Sequence, residues 1–255
     1  MKHPQVHLLF EDDRTFIQRF AQRLDRAYAT FVLKRERTIK FGDGTGTFWH
    51  DVEADEVDLA KVEVTESSRG SSSSCAVAWE QWAGIVQRGV PSSLVLFKTK
   101  SKKTKRRAPG PGPITKKDWT PTATKWLKGR CVFVHTDGAR SYKLGMNRKR
   151  KLDGIIHDYV VHKKKKVKGR WVKPHYVQLF RHKMPDGSVV CTKGGTQIID
   201  RCWRSLREQL GSRSAGTNLV AWRHRLRAAQ WYYWNRGEDL WEKTGEMLRN
   251  LESAP

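Results

Sequence analysis

The chain has 255 residues, with 50 lysines and arginines against 26 aspartates and glutamates, and its formal net charge is +24. A charge of this size exceeds ordinary solubility requirements and indicates a polyanionic partner, with nucleic acid as the first candidate. It has no run of about 18 apolar residues, so we expect no membrane partner, and four scattered cysteines without a Cys-x-x-Cys pair argue against a zinc ribbon and for a reducing compartment.

Residues 1–47 are predicted to form a helical segment, because apolar residues recur at roughly helical spacing from 5 to 38. The pair Asp12-Asp13, followed by a long basic stretch, predicts a short helix, a turn and a longer helix. This arrangement is compatible with the remnant of a helix-turn-helix DNA-binding region. An amphipathic helix that packs on the main domain is an equally good interpretation, and the sequence GDGTGT at 42–47 ends the segment in either case.

Three antiparallel strands are predicted between residues 48 and 100. The stretch FWHDVEADEVDLAKVEV (48–64) alternates and is rich in valine, as expected of a strand. Two further apolar stretches, AVAWEQWAGIVQRG (76–89) and SLVLFKTK (93–100), follow after polar breaks. Successive strands joined by short connections make an antiparallel meander.

A helix and two more strands are predicted after the meander. The basic stretch 102–119, rich in proline and glycine, shows neither period and is predicted to be a loop. The stretch TPTATKWLKG (120–129) predicts a short helix capped by Thr120, and CVFVHTDG (131–138) and IIHDYVVH (155–162) predict strands. Because the helix is placed as a crossover, the later strands are expected to pair in parallel, which gives an α/β fold with a mixed sheet.

The end of the chain is predicted to be helical. Residues 196–210 and 218–237 carry apolar residues at helical spacing, and 238–255 are predicted to form a helical tail. The tryptophans of the 218–237 segment are best interpreted as core packing, with base stacking as the alternative.

Basic residues cluster in the runs 98–107, 148–151 and 163–173, within two predicted basic insertions at 98–118 and 145–193. One such run alone could be a solvated loop or a nuclear-import signal. Three runs between apolar strand-like stretches favour loops that contact phosphates. The candidate DNA-binding residues are Lys102, Lys103, Arg106, Arg107, Arg140, Lys143, Lys163, Lys164, Lys165, Lys166 and Arg204.

Three carboxylates stand out within this basic chain. Asp55 lies in the first strand, Asp137 ends a later strand, and Asp200 lies on the helix that follows the sheet. Taken alone, Asp137-Gly138 is most economically a capped turn. Carboxylates from adjacent strands and a covering helix could instead hold two divalent cations for phosphoryl transfer, since hard cations prefer oxygen ligands. The rivals of Asp55 on the same strand are Glu53, Glu56 and Asp58.

Four segments in order resemble the successive motifs of the ISXO-like DDE transposases, a family that includes the eukaryotic Merlin group. They are VEADEVDLAK (52–61), HTDGARSY (135–142), IIHDYVVH (155–162) and TQIIDRCWRSLR (196–207). The family pattern has an Asp-Glu pair on the first strand, a Ser/Thr-Asp-Gly turn followed by a tyrosine, a strand ending in histidine, and a helix with a conserved tryptophan. The segment WYYWNRG (231–237) is similar to the closing aromatic segment of the family, so the resemblance covers roughly 48–237.

The resemblance implies a ribonuclease H-like α/β fold over 48–237, with a mixed sheet flanked by helices and a helical amino-terminal segment. It implies metal ligands at Asp55, Asp137 and Asp200, which together would hold two Mg²⁺ or Mn²⁺ ions. Asp200 stands where the family usually has glutamate, which shortens this ligand by one methylene. His162 matches the last histidine of the strand motif and is the candidate auxiliary catalytic group, with a buried structural histidine as the alternative.

The activity implied is DNA transposition, in which phosphodiester bonds at transposon ends are cleaved and the freed 3′-hydroxyl attacks target DNA. The partners implied are transposon-end and target DNA and further copies of the chain. The location implied is the nucleus of a eukaryotic host, or otherwise the cytoplasm or nucleoid. Two other interpretations stay open: a decayed or domesticated copy that binds DNA without cutting it, and a basic RNA-binding protein.

Overall fold

The computed structural model describes residues 4–65, 75–143, 154–162, 164–167, 169–211 and 218–252. Contacts divide the chain into two units, Ile39–Ser214 and the combination of Met1–Thr38 with Ala215–Pro255. No helix in these described ranges is long and apolar enough to cross a membrane.

The helices and strands have the following bounds in chain order. They are α1 (Pro4–Glu36), β1 (His50–Thr65), β2 (Cys75–Gln87), β3 (Val95–Lys98), β4 (Lys102–Lys105), α2 (Lys116–Leu127), β5 (Val132–Asp137), β6 (Ile155–Val160), β7 (Lys165–Val167), β8 (Arg170–Val172), β9 (Gln178–Lys183), β10 (Val189–Gly194), α3 (Gln197–Leu210), α4 (Leu219–Trp234) and α5 (Leu240–Glu252). Short 3₁₀ turns occupy Pro91–Ser93 and Arg140–Tyr142.

The unit Ile39–Ser214 is built on a six-stranded mixed sheet with the strand order β3-β2-β1-β5-β6, and β4 also pairs with β2. Strand β1 pairs with β2 antiparallel and with β5 parallel, and β6 is parallel to β5. The predicted α/β class and mixed sheet are therefore confirmed. The parallel pairing follows from α2, which carries the chain from the antiparallel strands back to the start of β5.

Helix α2 packs on one face of this sheet and forms the main apolar core there. Val52 and Ala54 of β1 are fully buried against Trp119, Ala123 and Leu127 of the helix. Because side chains alternate along a strand, the intervening residues of β1 face the opposite side. That opposite face is where α3 packs.

Two local predictions in this unit are wrong. Helix α2 begins at Lys116 rather than after Thr120, because the Thr115 side chain accepts a hydrogen bond from the Asp118 backbone N–H and caps the helix. Part of the predicted loop is the strand β4, which pairs with β2. Its Lys-Lys-Thr-Lys sequence has no apolar residue to reveal a strand, since it lies at an edge where polar residues are favoured.

The predicted basic insertion 145–193 contains two antiparallel ribbons within its described residues. Strand β7 pairs with β8, and β9 pairs with β10. Residues 144–153, including the run 148–151, lie outside the described residues. The chain passes from β10 directly into α3.

The second unit is helical. Helix α1 packs against α4 and α5, where Tyr28 lies 4.5 Å from the Trp231 ring and its hydroxyl is 2.8 Å from Thr244 Oγ1. The prediction that the tryptophans of α4 pack in a core is confirmed, since Trp222, Trp231 and Trp234 are buried. The predicted break after Asp13 is wrong, because one helix runs from Pro4 to Glu36. The contact division also places α4 with α1 rather than within the predicted 48–237 domain.

Candidate active site

Asp55 lies near the middle of β1, on the sheet face that α3 covers. Its Oδ2 accepts a hydrogen bond of 3.1 Å from the indole Nε1 of Trp203 on α3. Directly opposite Asp55 on β2 is Gly84. A Cβ atom at Gly84 would lie 2.6 Å from the Trp203 ring, so glycine is required for the indole to lie this close to the sheet.

Asp137 ends β5, the parallel neighbour of β1. Glu53 and His135 are register partners, and Asp55 and Asp137 come two residues later on their respective strands. They therefore lie on the same face of the sheet as Glu53. Asp137 Oδ1 also accepts a 2.9 Å hydrogen bond from the Ala139 backbone N–H. One oxygen of this carboxylate therefore caps the turn, and the other oxygen can have a second role.

Asp200 lies in the first turn of α3. Thr196 Oγ1, just before the helix, donates a 3.2 Å hydrogen bond to Asp200 Oδ2. The residue as a whole is exposed, whereas its carboxylate is partly buried. It lies close enough to His162 and Arg204 for both to act on its charge.

The three carboxylates are coupled electrostatically. Burial raises the pKa of Asp55 well above its ordinary value, and the charges of Glu56, Asp137 and Asp200 raise it further. Burial is also the largest cause of the raised pKa of Asp200, and Asp137 adds to it, while Thr196, His162 and Arg204 act in the opposite direction. Residues from two neighbouring strands and a covering helix are thereby brought into one acidic cluster. Such a cluster gains stability when a cation neutralises it.

The donor set suits a hard cation. Within the described part of the chain, each of the three carboxylates has one oxygen in a hydrogen bond and one without a partner. The described residues nevertheless include no three His, Cys, Asp or Glu side chains already arranged to hold a metal ion. These observations are compatible, because charge coupling extends beyond a coordination shell. Magnesium also keeps several waters and often takes only one or two protein carboxylates.

Glu53, one of the rivals of Asp55, has a structural position that the sequence did not reveal. Its buried carboxylate accepts hydrogen bonds from the backbone N–H groups of Ile198 (2.7 Å) and Ile199 (3.0 Å) at the start of α3. It also pairs with Arg88 Nε at 2.8 Å. A negative charge at a helix amino terminus satisfies unpaired N–H groups and the helix dipole, so Glu53 fixes α3 on β1.

The other two rivals are held by other groups, although the charge of Glu56 also acts on Asp55. Glu56 accepts hydrogen bonds from the Tyr142 hydroxyl and from the Ile114 backbone N–H, and burial raises its pKa. Burial also raises the pKa of Asp58.

His162 follows β6 and lies within electrostatic range of Asp200. Its Nε2 is buried and has no hydrogen-bond partner among the described residues, and its ring centroid is 5.2 Å from that of Tyr176. His157 has a different environment. Burial lowers its pKa to about 4, and its Nε2 is 2.8 Å from Thr136 Oγ1, so it is neutral near pH 7.

A buried polar network, which no sequence pattern predicts, joins this sheet face to β9 and β10. Asp158 of β6 receives a 2.6 Å hydrogen bond from Thr192 and lies 3.0 Å from His182 Nε2. On its other side, His135 Nδ1 is 3.6 Å from Asp158, and His135 Nε2 is 2.6 Å from Asp51. These pairs connect residues far apart in the chain, which no local spacing could predict.

The predicted DNA-binding residues have varied surroundings. Lys102 donates hydrogen bonds to the carbonyls of Gly112 and Pro113. Ring contacts place Lys143 over Tyr159 and Lys164 over Trp171.

The remaining candidates on exposed positions are Lys103, Arg106, Arg107, Arg140 and Arg204. Arg106 forms a 3.2 Å ion pair with Glu63. Lys163 lies outside the described residues, and so do the side chains of Lys165 and Lys166, although the backbone of both belongs to β7.

Comparison of the chain with protein-family models, with curated proteins and with solved structures gives no match. The motifs and the acidic cluster are therefore the features of the chain that indicate a function.

Proposed function

We propose that the chain is a DNA transposase of the ISXO-like DDE type, with a ribonuclease H-like catalytic unit. The observation that carries the proposal is that Asp55 and Asp137 lie on one face of two neighbouring parallel strands, with Asp200 on the helix whose Trp203 contacts that face. The charges of the three carboxylates also act on one another. The strand order, with three antiparallel strands followed by two parallel ones, supports the same assignment. So does the net charge of +24, which favours a polyanionic substrate.

In this proposal, Asp55, Asp137 and Asp200 hold two Mg²⁺ or Mn²⁺ ions. Bound ions of this kind stabilise the attacking and leaving oxygens of an in-line phosphoryl transfer. Trp203 orients the Asp55 carboxylate through its indole N–H, and the turn at Ala139 orients that of Asp137.

His162 lies within electrostatic range of Asp200, and its buried ring nitrogen, which has no partner among the described residues, would donate to or accept from a group near the cluster. The exposed side chains of Arg140 and Arg204 are available to hold the DNA backbone nearby.

The test is nicking of a supercoiled plasmid that carries the genomic sequence flanking the gene. Wild-type protein is expected to nick it only with Mg²⁺ or Mn²⁺, and Asp137→Asn is expected to reduce the rate by at least about a hundredfold, as loss of a charged transition-state contact does. Asp58→Asn is the matched control, since it removes a half-buried carboxylate of β1 outside the cluster. Equal nicking by wild type and Asp137→Asn would refute the assigned site.

A decayed copy that binds DNA without cutting it is the second candidate. It is favoured by the shorter third acid at Asp200 and by the absence of a ready three-ligand metal arrangement among the described residues. Calorimetric titration with Mn²⁺ separates the candidates. An active enzyme binds Mn²⁺ in a manner that Asp55→Asn abolishes, whereas a decayed copy binds plasmid DNA but gives no such metal signal.

A further inference from the structure

The ribbon of β9 and β10 has two chemically different faces. On one face Phe180, His182 and Val190 are half-buried and Thr192 is buried, while Gln178 at the end of this face is exposed. Every side chain on the other face is exposed, and they belong to Leu179, Arg181, Lys183, Val189, Cys191 and Lys193. The register pairs Leu179 with Lys193, Arg181 with Cys191, and Lys183 with Val189 across this outer face.

The inner face explains why the ribbon keeps a fixed position. His182 and Thr192 contact the buried carboxylate of Asp158, and the His182 ring stacks on Phe133 with centroids 5.4 Å apart. Arg88 donates hydrogen bonds to the carbonyl at the end of β10 (Lys193, 2.6 Å) and to that of Gly195 (3.1 Å). The ribbon is therefore held against the same sheet face as α3.

The outer face carries three cations and no acid. Among the described residues, Arg181, Lys183 and Lys193 form no ion pair, and Leu179 and Val189 are 73% and 58% exposed. The nearest acid in sequence, Asp186, is in the hairpin turn, where it accepts hydrogen bonds from the Ser188 N–H and hydroxyl. A fixed, unpaired cationic face next to an acidic catalytic cluster calls for an anionic partner.

The spacing of these cations suits duplex DNA. Arg181 and Lys183 are two residues apart on one strand, a step of about 6.8 Å. This step equals the axial rise of about two nucleotides of one B-DNA strand. B-DNA also admits a two-stranded ribbon in its major groove, whereas the major groove of A-form RNA is too narrow for side chains to enter.

We propose that the outer face of the β9–β10 ribbon binds the backbone of duplex DNA. Gly195 and Thr196 alone separate the ribbon from α3, so DNA held there lies next to Asp200. This inference deepens the proposed function, since it assigns a binding surface for the substrate of the same site. It concerns binding, however, and can be tested without catalysis.

The test measures binding to a fluorescent DNA duplex of about 30 base pairs by anisotropy over a series of salt concentrations. Each phosphate contact contributes about 0.9 to the slope of log K against log salt, so the triple variant Arg181→Ala, Lys183→Ala, Lys193→Ala is expected to lower the slope by about 2.7. The matched control removes two exposed lysines of α2 and the exposed lysine that directly follows this helix, on the other face of the sheet: Lys116→Ala, Lys117→Ala, Lys128→Ala. It is expected to leave the slope close to that of wild type.

A second measurement uses Cys191, which is exposed at the centre of the outer face, whereas Cys202 is buried. In a protein with Cys75→Ser and Cys131→Ser, bound duplex is expected to slow maleimide labelling of Cys191 at least about tenfold. An unchanged labelling rate, an unchanged salt slope in the ribbon variant, or an equal loss in the α2 control would each overturn the inference. Equally tight, ribbon-dependent binding of duplex RNA would overturn the choice of partner. If wild-type protein binds through the ribbon but never nicks, the proposed function fails while this inference stands.

Discussion

Replacing Gly84 with alanine tests whether the close contact between α3 and β1 sets the geometry of the acidic cluster. The new Cβ would lie 2.6 Å and 3.2 Å from two carbons of the Trp203 ring and 3.3 Å from Ile199 Cδ1. Carbon atoms in contact are normally about 3.5–4.0 Å apart, so the ring must retreat by about 1 Å. Because Trp203 and Asp200 share α3, this retreat also moves Asp200 relative to Asp55.

Two effects of different size are expected from Gly84→Ala. Overpacking a core costs about 1–3 kcal/mol, which urea denaturation measures as a lower midpoint. A displacement of about 1 Å at a catalytic group can lower the rate about a hundredfold. The rate of plasmid nicking is therefore expected to fall strongly, while the free energy of unfolding falls only modestly. The loss of rate should persist at temperatures where the variant is fully folded.

Gly245→Ala is the matched control for this experiment. Gly245 lies in α5, where the nearest atom to an added Cβ is Arg249 Nη1 at 3.7 Å, an ordinary contact. Alanine in a helix interior is favoured over glycine by about 1 kcal/mol, so this variant should be as stable as wild type or more stable. A Gly84→Ala protein with wild-type stability and wild-type nicking would refute the argument that the Trp203 contact fixes the site.

Two further predictions concern charges around the cluster. Because the pKa values of Asp55 and Asp200 are raised, the folded state keeps protons that the unfolded state has lost, and the stability of the metal-free protein should fall as pH rises from about 4 towards neutrality. Mg²⁺ should restore the thermal midpoint at neutral pH, and Asp55→Asn should weaken both the pH effect and the Mg²⁺ effect. A thermal midpoint that does not depend on pH would contradict the coupling. Glu53→Gln should lower the free energy of unfolding by about 2–3 kcal/mol, because a charged acceptor for two helix N–H groups is lost. Urea denaturation measures this free energy, and a decrease smaller than the error of the method would show that Glu53 does not anchor α3.

The sheet was predictable because its signals are local. Alternation in β1 and the apolar run of β5 each identify a strand, and the α2 crossover makes parallel pairing nearly obligatory. The strand β4 was missed because an edge strand needs no apolar residue. The break predicted after Asp13 was wrong because two acids do not interrupt a helix when neither glycine nor proline follows them.

The sequence predicts which three aspartates belong to the acidic cluster, whereas it does not predict the contacts that hold their strands and helix in place. The positions of Asp55 and Asp137 follow from strand identity, since parallel neighbours bring the corresponding residues together. Glu53 anchors α3 through a contact between residues about 145 positions apart in the sequence. The sequence around a carboxylate in a strand does not reveal such a partner. The role of Asp158 could not be predicted for the same reason. Its histidine and threonine partners belong to a ribbon whose packing against the sheet depends on tertiary contacts.

The acidic cluster and the basic ribbon have complementary electrostatic effects on a phosphodiester. Three coupled carboxylates repel a phosphodiester, and the raised pKa of Asp55 reports the cost of crowding and burying them. Cations placed at the cluster itself would form salt bridges with the carboxylates and compete with a metal ion. The cations of the ribbon's outer face instead lie on the opposite side of the ribbon from His182 and Thr192, which pack towards the sheet. In the proposed function they would attract DNA to the site while the carboxylates stay available, and removing them should therefore weaken DNA binding without changing the affinity of the cluster for Mn²⁺.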